Sequence, residues 1–194
     1  FWNTLSGIGS GAEDEYAMRL QNQLDSQYPQ PQHMIEFTYD LIKNNKLTFE
    51  KSNNDHRVVT FHDSCNVARG SNMGDIENGQ FILPREVIKA ACNNFIDMPK
   101  NTIKSSTFCC GGGAGLLTDD LIDLRIKGAK PRMHALRKSE QESGVNTLAA
   151  ICAICKSQFS KVLPNYDFDP YMVVSVHQLV SDAIVLSESL KQKD

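Results

Sequence analysis

The sequence has no apolar run approaching the roughly 18–20 residues that cross a bilayer, so it predicts no direct transmembrane segment. It has no charged-then-apolar leader at its start. It also lacks an excess of positive charge, because 20 Lys and Arg residues face 23 Asp and Glu residues, for a formal net charge of −3. Binding to nucleic-acid phosphates needs such an excess, and we expect no nucleic-acid partner. The chain starts with Phe1 and Trp2 instead of Met, and we expect it to be a fragment of a longer polypeptide.

The composition that is present is that of a globular protein. The 194 residues are 41% hydrophobic and 22% charged, which is enough for one domain with a real core. Residues 1–57 carry amphipathic helical spacing at 12–24 and 33–45 and then become polar. We interpret this segment as the helical end of a truncated preceding region with a linker, and residues 58–194 as the main domain.

Short β-type segments alternate with helical segments after residue 57. The predicted strands are 58–61, 106–108, 145–151 and 172–176. Helices are expected after them, starting near Pro84, Thr118, Lys156 and Leu179. Pro131 is expected to restart the second helix, and Gly144 to end it. This alternation predicts an α/β fold with a mainly parallel, four-stranded sheet and flanking helices.

Five of the six cysteines follow the ends of predicted strands. They are Cys65, Cys109, Cys110, Cys152 and, one helical turn further, Cys155. Ligands gather at the carboxyl ends of strands in open parallel α/β sheets, so we expect these five thiols to converge in one crevice. The remaining cysteine, Cys92, lies in a predicted helix and is interpreted as a buried, inert thiol.

The convergence of five thiols favours a metal centre over a disulfide framework. A chain with an apolar core of this size has little need of disulfides. Zinc takes four ligands in a closed tetrahedron and would leave one thiolate over, whereas thiolate-rich ligation fits iron–sulfur chemistry. Iron–sulfur is therefore preferred, and zinc stays open as an alternative. Gly111 and Gly112, after the cysteine pair, allow backbone N–H groups to approach the cluster sulfurs.

The residues around these cysteines resemble a known family. A single cysteine, then Cys109-Cys110-Gly111, then Cys152-x-x-Cys155 is similar to the CCG cysteine-rich domain of the heterodisulfide reductase family. The resemblance extends to the K subunits (DsrK-like) of DsrMKJOP membrane complexes, which are linked to dissimilatory sulfite reductase. It covers about residues 58–190 and is carried by four runs: FHDSCNVAR at 61–69, NNFIDM at 93–98, FCCGGG at 108–113 and AICAICKSQF at 150–159.

The resemblance implies a cofactor, a reaction and partners. In this family five cysteines hold a noncubane [4Fe–4S] cluster, at which a disulfide or trisulfide is cleaved in two one-electron steps. The matching positions here are Cys65, Cys109, Cys110, Cys152 and Cys155. The implied partners are a DsrC-like sulfur carrier protein and the other subunits of the DsrMKJOP complex. Those subunits exchange electrons with a membrane quinone, and the K subunit lies on the cytoplasmic face of the membrane.

The sequence departs from the family in two respects. Its spacers are longer than in heterodisulfide reductase itself, and it includes neither a ferredoxin-like region nor a first CCG half. We therefore expect this fragment alone to be inactive. Two alternatives stay open: a zinc-binding docking module, and a CCG subunit that relays electrons in an organic-acid or glycerol-phosphate dehydrogenase complex.

Four polar residues near the cysteines are candidate catalytic groups. His62 and His177, which is expected on the same rim, carry imidazoles suited to donate a proton to a leaving thiolate; the alternative is a structural hydrogen bond at a strand end. Arg69 and Lys156 flank cysteines and are candidates to orient a carboxylate or thiolate of a partner, or are ordinary solvated charges. The polar loop 69–83 is the expected mobile flank of the opening.

Overall fold

A three-stranded parallel sheet forms the centre of the molecule. The computed structural model describes residues 32–71, 74, 79–113 and 118–186. Within these residues the strands are β1 (Val59–His62), β2 (Thr147–Ala150) and β3 (Val173–Ser175), in the spatial order β1-β2-β3. Both strand pairs are parallel, and every residue of β1 and β2 is buried. A parallel sheet is covered on both faces, which explains why even the polar residues of β1, Thr60 and His62, are buried.

Five helices surround the sheet in the described part of the chain. They are α1 (Met34–Lys43), α2 (Leu83–Ala91), α3 (Ile122–Ser143), α4 (Ala153–Val162) and α5 (Val176–Ala183). None of them is both long and apolar enough to cross a membrane. The predicted α/β class is confirmed.

Each face of the sheet has its own hydrophobic core. Alternate strand residues divide between them, because successive side chains of a strand point to opposite faces. One core joins Phe61 and Ala149 to α1, α2 and α5. The other joins Leu148 and Ala150 to α3 and α4, with Phe159 fully buried. The helices α3 and α4 therefore cover the face that carries His62 at the end of β1.

The second predicted strand, 106–108, does not form, so the sheet has three strands instead of the expected four. A 3₁₀ turn (Lys104–Ser106) comes first, and Thr107 is then held by side chains: its hydroxyl donates to the Asp63 carbonyl and its carbonyl accepts from Arg69. With these groups occupied, the segment does not pair with the sheet. Instead, Phe95 forms a single parallel bridge with Val59 at the free edge of β1.

Helix boundaries also differ from the predicted ones. Helix α3 runs through Pro131 without a restart, because the buried residues on either side of it pack as one continuous face. It ends at Gly144, whose φ of 68° is the left-handed conformation expected after a helix. Helix α2 ends at Ala91, and α5 starts at Val176, before the predicted start near Leu179, and ends at Ala183. The predicted helix at 12–24 lies outside the described residues.

Candidate metal centre

Five thiols lie in one continuous cluster at the carboxyl ends of the strands. Hydrogen-bonded contacts link them in the order Cys65, Cys109, Cys110, Cys155, Cys152. Chain segments after β1 and β2, and the loop that precedes α3, bring them together. All six cysteines are free thiols, so no disulfide competes for these sulfurs.

The cluster is buried on one side and accessible on the other. Cys110 and Cys155 are almost completely buried, whereas Cys65, Cys109 and Cys152 are partly exposed. The five sulfurs thus separate the sheet core from the surface. Such a centre is held by the protein interior and can still be approached from outside.

Two of the five sulfurs are strong hydrogen-bond acceptors. Hydrogen bonds from Cys110 and Cys65, and from the backbone N–H of Gly111, hold the pKa of Cys109 far below its usual value. A hydrogen bond from Cys155 lowers the pKa of Cys152 to about 5. Thiolates are the form of cysteine that binds metals, so the chain itself favours the ligating state at these positions.

A buried ion pair fixes the end of β1 beside this cluster. The Asp63 carboxylate accepts two hydrogen bonds from Arg85, at 2.7 and 2.8 Å, and one from the Lys104 backbone N–H at 2.7 Å. The Thr107 hydroxyl donates to the Asp63 carbonyl at 2.8 Å. These bonds fasten the segment before Cys109 to the strand that precedes Cys65, which explains why residues so distant in sequence meet.

The turn after the cysteine pair can only be built with glycine. Gly111 has a φ of 90°, and a Cβ there would lie 2.2 Å from the Arg125 carbonyl oxygen of α3. Its N–H donates to the Cys109 sulfur at 3.3 Å. Backbone N–H groups of Gly112 and Gly113 hydrogen-bond to Cys110 and Cys109. These N–H groups lie beside cysteine sulfurs, and their approach to the sulfurs of a cluster stays a prediction.

A buried arginine adds positive charge next to the thiols. Arg132 is fully buried, and its guanidinium donates to the Thr102 carbonyl at 2.6 Å and the Thr107 hydroxyl at 2.8 Å. No salt bridge among the described residues includes it. Burial lowers its pKa to about 10, while Asp63 and three of the cysteines act in the opposite direction. Arg132 therefore stays charged at neutral pH, under the influence of both the Asp63 carboxylate and the cysteine sulfurs.

His62 lies deep in the cluster. Its side chain is fully buried, its ring meets the Phe159 ring edge-on at 4.8 Å, and neither ring nitrogen has a hydrogen-bond partner. One of its nitrogens and the sulfurs of Cys110 and Cys155 lie within 4.8 Å of one another. Burial, followed by the charge of Arg132, holds the pKa of His62 well below its usual value.

The other predicted residues lie in different surroundings. His177 does not join the cluster: its Nε2 is 3.2 Å from the Thr38 hydroxyl of α1, because the first turn of α5 packs on that helix. Arg69 is exposed and donates to the carbonyls of Ser105 and Thr107, at 3.0 and 3.2 Å. Lys156 is exposed near the start of α4.

Cys92 is separate from the five clustered thiols. It directly follows α2 and belongs to the core on the opposite face of the sheet. Burial raises its pKa to about 11, so it stays a neutral thiol. This environment agrees with the interpretation of Cys92 as a packing residue.

An apolar pocket opens beside Cys109. It has a volume of about 220 Å³ and is lined by Cys109, Gly111, Gly113, Leu121, Leu124, Arg125 and Gly128. Leu124 is 62% exposed at its edge. The predicted flank at 69–83 is described only in part, because residues 72–73 and 75–78 lie outside the described residues.

Sequence reasoning missed Arg132, Asp63 and Arg85. Nothing in the spacing of an arginine on a long polar helix distinguishes a buried guanidinium from an exposed one. For Asp63 the only signal was its position between a predicted strand and Cys65, where charged side chains require a partner if they are buried.

The donor set fits an iron–sulfur cluster. Five thiols, each linked to the next in one cluster, exceed the four ligands of a tetrahedral zinc site, and no carboxylate of the described residues belongs to the group around Cys110 and Cys155. Sulfur-rich ligation, backbone N–H groups beside sulfur and a buried cation are typical surroundings of a negatively charged iron–sulfur centre.

Comparison with known proteins agrees with this chemistry. Residues 59–160 match the CCG family, described as a cysteine-rich domain. The chain is 44% identical over 155 residues to the Hdr-like menaquinol oxidoreductase iron-sulfur subunit 2 of Archaeoglobus fulgidus, covering 80% of this chain and 26% of that protein. It is 30% identical over 155 residues to a subunit of the dihydromethanophenazine:CoB–CoM heterodisulfide reductase of Methanosarcina mazei, covering 79% of this chain and 34% of that protein.

A more distant relative has a different description. The chain is 25% identical over 173 residues to a probable membrane-anchored ferredoxin of Chromohalobacter salexigens, covering 85% of this chain and 23% of that protein. The chain therefore spans about a quarter to a third of the length of these relatives. No solved structure matches it.

Proposed function

Since the chain belongs to the CCG cysteine-rich domain family, we propose that it is the cluster-binding module of an iron–sulfur oxidoreductase subunit. The ligands are Cys65, Cys109, Cys110, Cys152 and Cys155, and the cluster is a noncubane [4Fe–4S] centre. The observation that carries this proposal is the unbroken contact of five thiols at one end of the sheet.

The substrate class is a disulfide or trisulfide carried by a protein. When bound, the cluster supplies electrons one at a time, and reduction of a disulfide to two thiols consumes two electrons and two protons. A heterodisulfide reductase subunit among the relatives supports this class. The pocket beside Cys109 supports it as well, because its apolar lining can seat a sulfur-bearing side chain close to a ligand thiol.

The assembly is a membrane-bound quinone oxidoreductase of the DsrMKJOP type, in which this chain belongs to the K-type subunit on the cytoplasmic face. The sulfur-bearing partner is a DsrC-like carrier, and quinone chemistry belongs to other subunits. The runs that resemble K subunits support this placement, as does a relative named for menaquinol oxidation that is 44% identical.

Two exposed charges beside the thiols are proposed to receive the partner. Lys156 lines a shallow cavity of about 510 Å³ together with Ser157 and Tyr171, and its ammonium is suited to bind a carboxylate of a flexible tail. Arg69 lies next to Cys65 and lowers the pKa of that thiol, although hydrogen bonding and burial raise it overall. Neither His177, which faces α1, nor the deeply buried His62 is placed to deliver protons from solvent to a bound tail.

Anaerobic purification tests the cofactor. Iron and acid-labile sulfide are measured per chain, together with visible absorption and electron paramagnetic resonance (EPR) spectra. We expect about four irons and four sulfides per chain, with absorption in the visible range. One zinc per chain and no colour would instead establish the docking-module alternative.

A second experiment tests the substrate class in the assembled complex. The oxidised DsrC-like carrier, with a disulfide or trisulfide on its tail, is mixed with quinol-reduced complex, and thiol formation is followed. We expect thiols to appear as quinol transfers two electrons to each disulfide, or four electrons to each trisulfide with release of one sulfide. A complex whose cluster cycles with quinol but leaves the carrier unchanged would indicate an electron relay in another dehydrogenase.

A further inference from the structure

His62 is one of the few buried groups in the described part of the chain with unpaired polar atoms. It ends β1 with no exposed surface, yet neither Nδ1 nor Nε2 meets a hydrogen-bond partner. Buried polar groups are almost always paired, and an imidazole always has at least one N–H to donate. A ring that stays unpaired in the chain alone points to a partner that the chain binds.

The geometry says where this partner lies. A His62 nitrogen and the sulfurs of Cys110 and Cys155 are within 4.8 Å of one another, and the ring nitrogens have no hydrogen-bond partner, so the three atoms are close enough to share one bound group. Phe159 packs edge-on against the ring and fixes its orientation. The imidazole is thus held in place and faces the deepest part of the cysteine cluster.

No side chain of the described residues hydrogen-bonds to the ring nitrogens, so the imidazole keeps an N–H to donate whatever charges surround it. The guanidinium of Arg132 faces it from α3, and the Cys109 thiolate from the loop before α3. The carboxylate next to it in sequence, Asp63, is occupied by Arg85 and Lys104. The five thiols already provide a complete ligand set, so a sixth ligand is not needed.

We propose that His62 donates an N–H hydrogen bond to a cluster sulfur held between Cys110 and Cys155, and that this bond raises the reduction potential of the cluster. The inference rests on the proposed iron–sulfur function. Reduction adds negative charge to the sulfurs, and a hydrogen bond to them strengthens as that charge grows. His62 is therefore a positioning and potential-setting residue rather than a proton donor to substrate.

Three variants test this role through the midpoint potential, measured by EPR-monitored redox titration of the protein. His62→Leu removes the donor, and His62→Gln keeps an N–H. Thr60→Val is the matched control, because Thr60 is also fully buried and unpaired, on the same face of the same strand. We expect the potential to fall in His62→Leu by about 59 mV, a tenfold loss in the one-electron reduction constant. His62→Gln is expected to recover most of this shift, and Thr60→Val to leave the potential unchanged.

A spectroscopic measurement on the unsubstituted protein covers the case in which His62→Leu loses its cluster. With ¹⁵N-labelled histidine, we expect a weak nitrogen coupling to the reduced cluster. A strong coupling would mean that His62 ligates iron, and no coupling would mean that it does not contact the cluster; either result overturns the inference. Full iron content with an unchanged potential in His62→Leu would overturn the inference about His62 but not the proposed function. Absence of iron and sulfide from the unsubstituted protein would overturn both.

Discussion

At the scale of single residues, cysteines of the same chain have opposite surroundings. Cys110 contacts two neighbouring thiols, whereas Cys92 is enclosed by the hydrophobic core on the other face of the sheet. We expect Cys110→Ser to lose or convert the cluster, because it removes a thiolate ligand. Cys92→Ser is the control and should leave iron and sulfide per chain unchanged. Equal loss of iron in both variants would contradict the ligand assignment.

A second residue-scale prediction concerns Gly111. Gly111→Ala places a methyl group 2.2 Å from a backbone oxygen of α3 and strains a φ of 90°. We expect the free energy of unfolding, measured with urea under anaerobic conditions, to fall by about 3 kcal/mol. Gly144→Ala is the matched control, because Gly144 also has a positive φ but nothing within 4 Å of the added carbon. It should cost only about 1 kcal/mol, and a similar loss in both variants would show that the close approach to α3 is unimportant.

The convergence of the five cysteines could be predicted from sequence, whereas the surroundings of these residues could not. Cysteines just after buried strands converge because parallel strands share one carboxyl edge, and this rule depends only on the order of elements. The interactions of His62 and Arg132 depend on which side chains from other elements meet them. Those contacts arise from tertiary packing and produce no periodic pattern in the sequence.

At the scale of elements, contacts with distant residues, and not local composition alone, decide which predicted strands form. The apolar segments of β1, β2 and β3 were predicted because buried parallel strands are apolar throughout. Residues 106–108 have strand-like composition, but the hydrogen bonds of Thr107 go to Asp63 and Arg69. Side-chain chemistry from distant positions thus overrides a local preference. The continuous helix through Pro131 has a similar origin in the packing of its buried face.

The connection between β1 and α2 gives a prediction about stability. Asp63→Asn removes the negative charge of the buried carboxylate that binds the Arg85 guanidinium. The partly exposed Asp97 carboxylate still accepts hydrogen bonds from Arg85. We expect a loss of about 3 kcal/mol in the free energy of unfolding, as is usual when one partner of a buried ion pair is removed. Glu86→Gln is the control, since it breaks an exposed pair with Lys89 and should cost at most about 0.5 kcal/mol. Equal small losses would mean that the buried pair does not hold the end of β1.

At the scale of the whole molecule, the two faces of the sheet have different tasks. The face covered by α3 and α4 carries the thiols and the pocket, and the opposite face carries α1, α2 and α5. Any partner that exchanges electrons with the centre must approach from the first face. An exposed apolar residue there should therefore matter to the reaction, and an equally exposed one on the other face should not.

Leu124 and Met34 test this asymmetry. They are 62% and 59% exposed, one at the pocket beside Cys109 and the other at the start of α1. In the assembled complex, we expect Leu124→Asp to slow reduction of the sulfur carrier at least about tenfold, because an acidic group replaces an apolar contact worth about 1.4 kcal/mol. Met34→Asp should react at the unmodified rate, and both should keep their iron. Equal rates in the two variants would place the docking surface elsewhere.

The buried guanidinium of Arg132 connects oxidative loss of the cluster to the lifetime of the protein. With sulfide and thiolate beside it, this buried cation is compensated by several negative charges; with neutral thiols the remaining negative charge is Asp63, which is already paired with Arg85. Because any ligand that binds only the native state adds to its stability, destruction of the centre by oxygen also removes stability from the surrounding chain. Damaged molecules then unfold more often and become substrates for proteases. The positive charge of Arg132, which stabilises the chain with its cluster, is thus expected to destabilise the chain that has lost it and to favour its proteolysis.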